Sequence, residues 1–371
     1  MIRVAFGPQI FGLQVYGGVS RYFCQLTEQL AQCSGIQPRI IAPLHINAYL
    51  RALDPRLVVG KAVPRIPGAG RILQELNILL FRAVARRVQP AIVHETYFSP
   101  RPCQYAGVPR VLTVYDMIHE RFPAHFSASD RIAEFKRAAI LRADHVFCIS
   151  ENTRKDLQEI YRLPDERVSV TQLGHAMPAG TRVAGMKLAG SAPFLLYVGE
   201  RRGYKNFSAF IAAFANSPWL RNNIRIVCFG GGQFRTGELE MMTQLGLGED
   251  LLQQISGSDA DLANLYCSAT ALVYPSRYEG FGIPLLEAMS LGCPVVCSNS
   301  SSIPEVVANA GEYFAPGDRD SIQDALERVL QSSSRQVELA DLGHVRCRHF
   351  SWSRCATETH SVYKKLLAQS G

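Results

Sequence analysis

Short β-rich apolar runs alternate with stretches of helical spacing along the whole chain, and this alternation restricts the fold more than any other feature. In the first half, runs at 2–6, 38–42, 91–94, 110–115, 145–149 and 168–171 read as strands, with helical spacing at 21–32, 73–88 and 131–142. The second half repeats the plan, with strands at 194–198, 224–229, 271–274 and 294–297 and helices at 206–216, 259–268, 284–291 and 321–331. Strands separated by helices of this length pair in parallel through right-handed crossovers. Two such series predict an α/β protein of two tandem Rossmann-like domains, and 371 residues suffice for two ordinary cores. The stretch 175–193 is rich in Ala, Gly and Pro and lacks aromatic residues, which marks a boundary. The expected division is therefore a domain over 1–175, a linker over 176–192 and a second domain over 193–345. A final segment, 346–371, reads as an amphipathic helix with Trp352 near its start.

Composition narrows the class. Hydrophobic residues make up 47% and charged residues 19%, the balance of a globular enzyme. The opening IRVAFG reads as a buried strand, not as a charged leader followed by a long apolar run. Cys148, Cys228 and Cys297 fall inside or beside strand-like runs, where a buried free thiol is the ordinary state. Cys293 and Cys297 are four apart without a matching Cys/His pair, so no metal site is expected. These features together predict a cytoplasmic protein with reduced cysteines. Charge is divided unevenly. Up to residue 190 there are 24 Lys+Arg against 14 Asp+Glu, and after it 15 against 18, so +10 and −3 make up the total of +7. A first half this basic suits an anionic surface, although solvated faces alone produce the same imbalance.

The segment YPSRYEGFGIPLLEAMSLG, 274–292, carries the most chemistry. An apolar strand leads into a glycine-rich turn, and Pro284 suits the first turn of the following helix. The amides of Phe281, Gly282 and Ile283 then cluster at a helix N-terminus, which favours an anion such as a diphosphate. Gly280 and Gly282 allow close backbone approach. Glu279 in the turn and Glu287 in the helix flank this position, and ionised carboxylates accept strongly from sugar hydroxyls. The plainer reading makes Glu279 a turn residue and Glu287 a helix carboxylate.

On this segment and its continuation GCPVVCSNSSSIPEVVANAGEYFAPGD, 292–318, the chain resembles glycosyltransferase family 4. That family comprises retaining enzymes of the GT-B kind, in which two Rossmann-like domains enclose an interdomain active site and a C-terminal helix crosses back to the first domain. Trp352, in FSW, resembles the family's signature before that helix. The resemblance implies that Glu279 lies by the donor sugar and that Glu287 binds the ribose. It also implies transfer with retention from a nucleotide sugar, with no metal and no further cofactor.

Three other motifs gain meaning from the resemblance. YVGERRGYKNF, 197–207, supplies cations for a diphosphate, Arg201 or Arg202 with Lys205. The resemblance implies one Arg and one Lys here; the spacing is shorter than in many members, and Arg201 is the favoured match, with Arg202 as a surface charge. YGGVSRYF carries Gly17 and Gly18 ahead of a helix, and the resemblance makes Gly18 the residue that meets the donor. TVYDMIHERF, 113–122, departs from the family: where many members have a His–Asp pair, Tyr115 precedes Asp116. Asp116 becomes the acceptor-side candidate, as a base or an orienter, with His119 as a second possibility. The YDMI and YKNF forms are similar to those of mannosyl- and deoxymannosyl-transferases. They imply a GDP-linked donor and a lipid-linked glycan or polysaccharide acceptor of O-antigen type, with UDP-linked donors left open. A silent nucleotide-sugar-binding partner of another transferase, and a sugar-nucleotide epimerase, are the alternatives.

The stretch 70–89 is apolar and carries Arg71, Arg82, Arg86 and Arg87. Such a helix lies peripherally on anionic lipid, or packs its apolar face in the domain and solvates its arginines. No nucleic-acid motif accompanies the positive charge.

Overall fold

The computed structural model describes residues 1–68, 70–103, 105–180, 193–248 and 250–370, so most of the expected linker, 181–192, lies outside the described residues. The chain divides into two compact units, Met1–Gly174 with Ser351–Gly371, and His175–Phe350.

The first unit holds a seven-stranded sheet ordered β3-β2-β1-β4-β5-β6-β7. Its strands are β1 (Ile2–Phe6), β2 (Ile36–His45), β3 (Val58–Ala62), β4 (Ile92–Glu95), β5 (Arg110–Val114), β6 (His145–Cys148) and β7 (Val168–Val170). Every pairing is parallel. β4 and β6 are buried along their whole length, as strands covered on both faces by helices must be. The strand order reverses between β1 and β4, and open α/β sheets bind ligands beyond the carboxyl ends of strands at such a point.

The second unit repeats the design with six parallel strands ordered β10-β9-β8-β11-β12-β13. They are β8 (Phe194–Val198), β9 (Arg225–Phe229), β10 (Leu252–Ile255), β11 (Ala271–Tyr274), β12 (Val295–Ser298) and β13 (Gly311–Phe314). Its reversal lies between β8 and β11. Helices Phe207–Asn216 and Arg319–Leu330 bury Phe210, Ile211, Phe214, Ile322 and Leu326 in one core with Leu195, Ile226 and Val273.

Sequence periodicity misses β3, β10 and β13, and all three are edge strands. With one neighbour each they are short and partly exposed, and their patterns (VVGKA, LQQI, GEYF) lack a continuous apolar run.

The last segment also differs from expectation. Residues up to Phe350 belong to the second unit, and the helix Trp352–Ser370 belongs to the first. Tyr363 of that helix is fully buried, its hydroxyl 2.6 Å from His94 Nδ1, and Trp352 packs on Tyr22 with ring centroids 6.0 Å apart. A Cβ on Gly174 would lie 2.2 Å from Trp352 N, so only glycine lets these two segments pass.

Candidate functional site

In the second unit the loops after β8 and β11, the two strands that flank the reversal, bring Lys205 to Glu279. Lys205 Nζ donates to both carboxylate oxygens, at 2.7 and 3.0 Å. The Glu279 side chain is only 9% exposed, so the pairing compensates a largely desolvated charge. Lys205 Nζ also lies 5.4 Å from the Tyr204 ring centroid and 5.9 Å from that of Tyr274. Tyr274, the last residue of β11, hydrogen-bonds Glu279 through its hydroxyl. Burial, then the negative charge of Glu279, pushes the Tyr274 hydroxyl well above its ordinary pKa, so it stays a donor.

The backbone around Glu279 is clamped from the loop after β12. Ser301 Oγ accepts from the Glu279 amide at 2.8 Å, and the fully buried Ser302 Oγ donates to the carbonyls of Glu279 and Phe281, each at 2.9 Å. Gly282 then caps the helix Ile283–Ser290 with φ 114°, a left-handed conformation that suits glycine, and Pro284 occupies the first turn. Glu287 is buried in that helix and accepts from the Tyr266 hydroxyl at 3.4 Å. On the other loop, Asn206 adopts φ 58° and ties the region together, accepting from Arg277 Nε at 3.1 Å and donating to the Pro316 carbonyl at 2.8 Å.

Arg201, the expected diphosphate cation, lies in this structure against the second unit's own backbone. Its side chain is 2% exposed, and its guanidinium is spent on the turn after β9. Nε donates to Glu238 at 3.1 Å, and Nη1 and Nη2 donate to the carbonyls of Gly230, Gly231, Gly232 and Gln233 at 2.8–3.4 Å. Gly230, Gly231 and Gly232 all have positive φ, which turns their carbonyls toward this cation. Arg201 therefore holds a turn, and Lys205 is the cation paired with the site carboxylate. Arg202 is exposed beside Glu200, as a surface charge should be.

In the first unit, Asp116 follows β5 and opens a short helix, its Oδ1 accepting from the Ile118 amide at 3.0 Å. A residue that the sequence analysis overlooked organises this loop. Lys136, with a side chain only 1% exposed, donates to the Asp116 carbonyl at 2.9 Å and to Glu120 at 2.8 Å, and lies 3.5 Å from Asp116 Oδ1. Tyr161 adds a bond to Glu120 at 3.2 Å. A lysine inside a helical stretch such as FKRAAI carries no sequence mark of burial. His119 stacks on Phe126 at 3.9 Å between centroids, with Nε2 3.7 Å from Asp130. Burial, then the positive charge of Lys136, lowers its pKa, so it is neutral at pH 7. Tyr115, which precedes Asp116, turns inward and donates to the Thr96 carbonyl at 2.8 Å. Gly18 begins the helix Gly18–Gln32, and a Cβ placed there meets nothing within 4 Å. Packing does not demand glycine there.

Comparison with known proteins shows what the chain is similar to. The model for Glycosyltransferase Family 4 matches residues 16–174, and that for Glycosyl transferases group 1 matches residues 185–343. The chain is 27% identical over 371 residues to the O-antigen chain mannosyltransferase B of Escherichia coli, covering 94% of this chain and 96% of that protein. It is 28% identical over 223 residues to the O-antigen chain mannosyltransferase RfbU of Salmonella typhimurium, covering 60% and 61%. Among solved structures, Anabaena HepE in complex with UDP-glucose superposes with a TM-score of 0.76 at 16% identity, covering 98% of this chain and 100% of that one. At that identity the likeness establishes the fold, two Rossmann-like domains of the GT-B kind.

Proposed function

Because the chain belongs to glycosyltransferase family 4, we propose that it is a retaining, metal-independent transferase that moves mannose, or a deoxymannose such as rhamnose, from a GDP-linked donor. The acceptor in this reading is a lipid-linked glycan or polysaccharide of O-antigen type. One observation carries it: Lys205 and Glu279 are paired on the two loops at the reversal of the second sheet. The near end-to-end similarity to an O-antigen mannosyltransferase supports the choice of sugar and acceptor.

The donor diphosphate lies against Lys205 and the amides of Phe281, Gly282 and Ile283. Charge grows on the departing nucleoside diphosphate during transfer, and a cation and helix amides fixed beforehand stabilise it there. The diphosphate takes over part of the Lys205 charge, which frees Glu279 to accept from a sugar hydroxyl while Tyr274 keeps hold of the carboxylate. Glu287 receives the ribose. In the first unit Asp116 orients or deprotonates the acceptor hydroxyl, with neutral His119 as the other acceptor-side group, and the open backbone at Gly18 admits the donor. Arg201 serves through the turn it holds.

A thermal-shift screen with GDP, UDP, ADP and TDP, with and without magnesium, tests the reading. A ligand at a hundredfold excess over its Kd stabilises the folded state by about 2.7 kcal/mol. A shift with GDP alone, independent of magnesium, is expected. A shift with UDP alone removes the guanine donor but keeps the transferase. Nucleotide binding without transfer to any glycan leaves a silent partner, and release of a new nucleotide sugar without acceptor identifies an epimerase.

A further inference from the structure

Tyr16 is 69% exposed, yet the loop that carries it is tied down at several points. Asn47, fully buried, donates through Nδ2 to the carbonyls of Gln14 at 2.8 Å and Val15 at 3.3 Å. The Ala48 amide adds a bond to the Val15 carbonyl at 2.9 Å. Gln14 Oε1 accepts from the Ser20 amide at 3.3 Å, and a Cβ on Gly17 would lie 2.3 Å from that oxygen, so glycine at 17 makes room for the Gln14 side chain. The Tyr16 ring meets Tyr49 at 5.5 Å between centroids and 82° between planes, an edge-to-face contact. Single exposed apolar residues are ordinary and need no explanation. An aromatic ring fixed by its backbone and by a second ring is different, because it offers contact area with little left to order on binding.

Topology sets what this ring can reach. Tyr16 lies on the loop after β1, Tyr49 follows β2, Tyr97 follows β4 and Asp116 follows β5. The strand order β2-β1-β4-β5 brings these loops to the carboxyl edge of one sheet. Tyr97, half-buried and stacked on Tyr115 at 6.3 Å, stands in that order between Tyr16 and Asp116. Neighbouring strands are about 4.8 Å apart, so the loops after β1 and β5 start two intervals, about 10 Å, from each other. That span exceeds one pyranose ring. A protein partner needs far more apolar area than a single ring supplies. The C–H face of a sugar, by contrast, is matched in size and polarity by the electron-rich face of one tyrosine.

We propose that Tyr16, held by Tyr49, binds a sugar of the acceptor glycan other than the one that reacts, so that the acceptor is at least a disaccharide. Tyr16 stacks on that sugar, and Tyr49 is a positioning residue behind it. The inference rests on the reading of Asp116 as acceptor-side and adds a second subsite to it. The test is a saturation-transfer NMR titration of the full chain, without nucleotide, with methyl α-D-mannopyranoside and a linear α-mannotriose as probes. The native chain should hold the triose about tenfold more tightly, a difference of about 1.4 kcal/mol. Tyr16→Ala should remove that gain and leave the monosaccharide affinity as it was, at an unchanged melting temperature. Tyr16→Phe, which keeps the ring, should keep the gain, and Tyr49→Ala should lose part of it. Equal affinity for the two sugars, or no binding of either by the native chain, overturns the inference. So does a gain that survives Tyr16→Ala, a gain lost equally in Tyr16→Phe, or an equal weakening of both sugars. Because no nucleotide is present, failure here is distinct from a missing GDP response in the thermal-shift screen.

Discussion

Replacing Lys136 by methionine should destabilise the first unit by about 3–5 kcal/mol, the usual loss when one member of a buried ion pair is removed. The methionine roughly conserves volume but deletes the charge. Glu120, whose side chain is 9% exposed, then loses its cation and keeps the Tyr161 hydroxyl at 3.2 Å, and the Asp116 carbonyl loses its donor at 2.9 Å. For a unit of this size each kcal/mol moves the melting temperature by roughly 2–4 °C, so a fall of about 6–20 °C is expected. The two tryptophans make this measurable by unit, since Trp219 lies in the second and Trp352 in the first. In a Trp219→Phe background, fluorescence during urea unfolding reports the first unit alone, which matters because a two-domain chain need not unfold in one step. The double variant Lys136→Met/Glu120→Gln supplies the control. Removing both charges should recover a large part of the loss, giving a coupling above about 1 kcal/mol. A single-variant loss under about 1 kcal/mol, or a double variant as poor as the sum of the singles, would refute the reasoning.

Further expectations concern the second unit and pH. Arg201→Lys should lower the urea midpoint of the second unit nearly as much as Arg201→Ala, because an ammonium cannot serve an array of carbonyls that a guanidinium fork reaches; full stability in the lysine variant contradicts the turn-holding role. Lys205→Ala and Glu279→Ala should each remove most transfer, read as nucleoside diphosphate release, with far-UV dichroism unchanged; native activity in both sinks the site. His94 and His145 are held neutral by burial, with pKa values lowered from 6.5 to about 3 and about 4. The unfolded chain therefore binds more protons below pH 6.5, and first-unit stability should fall on acidification by about 1.4 kcal/mol per pH unit for each histidine. Urea midpoints from pH 7 to 4.5 check this, and His145→Gln should reduce the slope.

How far the sequence could be read follows from burial. Central strands such as β8 and β11 appear with their full limits, because strands covered on both faces must be continuously apolar. The helix at Pro284 was legible because its start is local backbone chemistry. Within the site, Glu279 and Lys205 stood out through motif, but their pairing spans 74 positions and no spacing rule reaches that far. Ser301 and Ser302 sit unmarked in SNSSSIP, and only the fold brings them against the 279–281 backbone.

The three cations of ERRGYKN show the limit most clearly, since sequence ranks them by type and the structure ranks them by acceptors. Arg201 has Glu238 and four carbonyls behind it. To face an incoming anion it would have to abandon that whole set at once, the ion pair with Glu238 included. Lys205 is 21% exposed at its side chain and is bonded chiefly to one carboxylate. A compact ammonium can share itself between Glu279 and a diphosphate, because its donors rotate and neither partner needs to be released completely. The acidic partner gains in the same exchange. In the proposed reading, a diphosphate that draws on Lys205 leaves Glu279 the Tyr274 hydroxyl and an oxygen able to accept from a sugar. The pair is thus suited to act as a coupled unit, in which occupation of the phosphate position prepares the sugar position. That coupling requires a cation that can share its donors while paired with Glu279, and of Arg201 and Lys205 only the lysine is so placed.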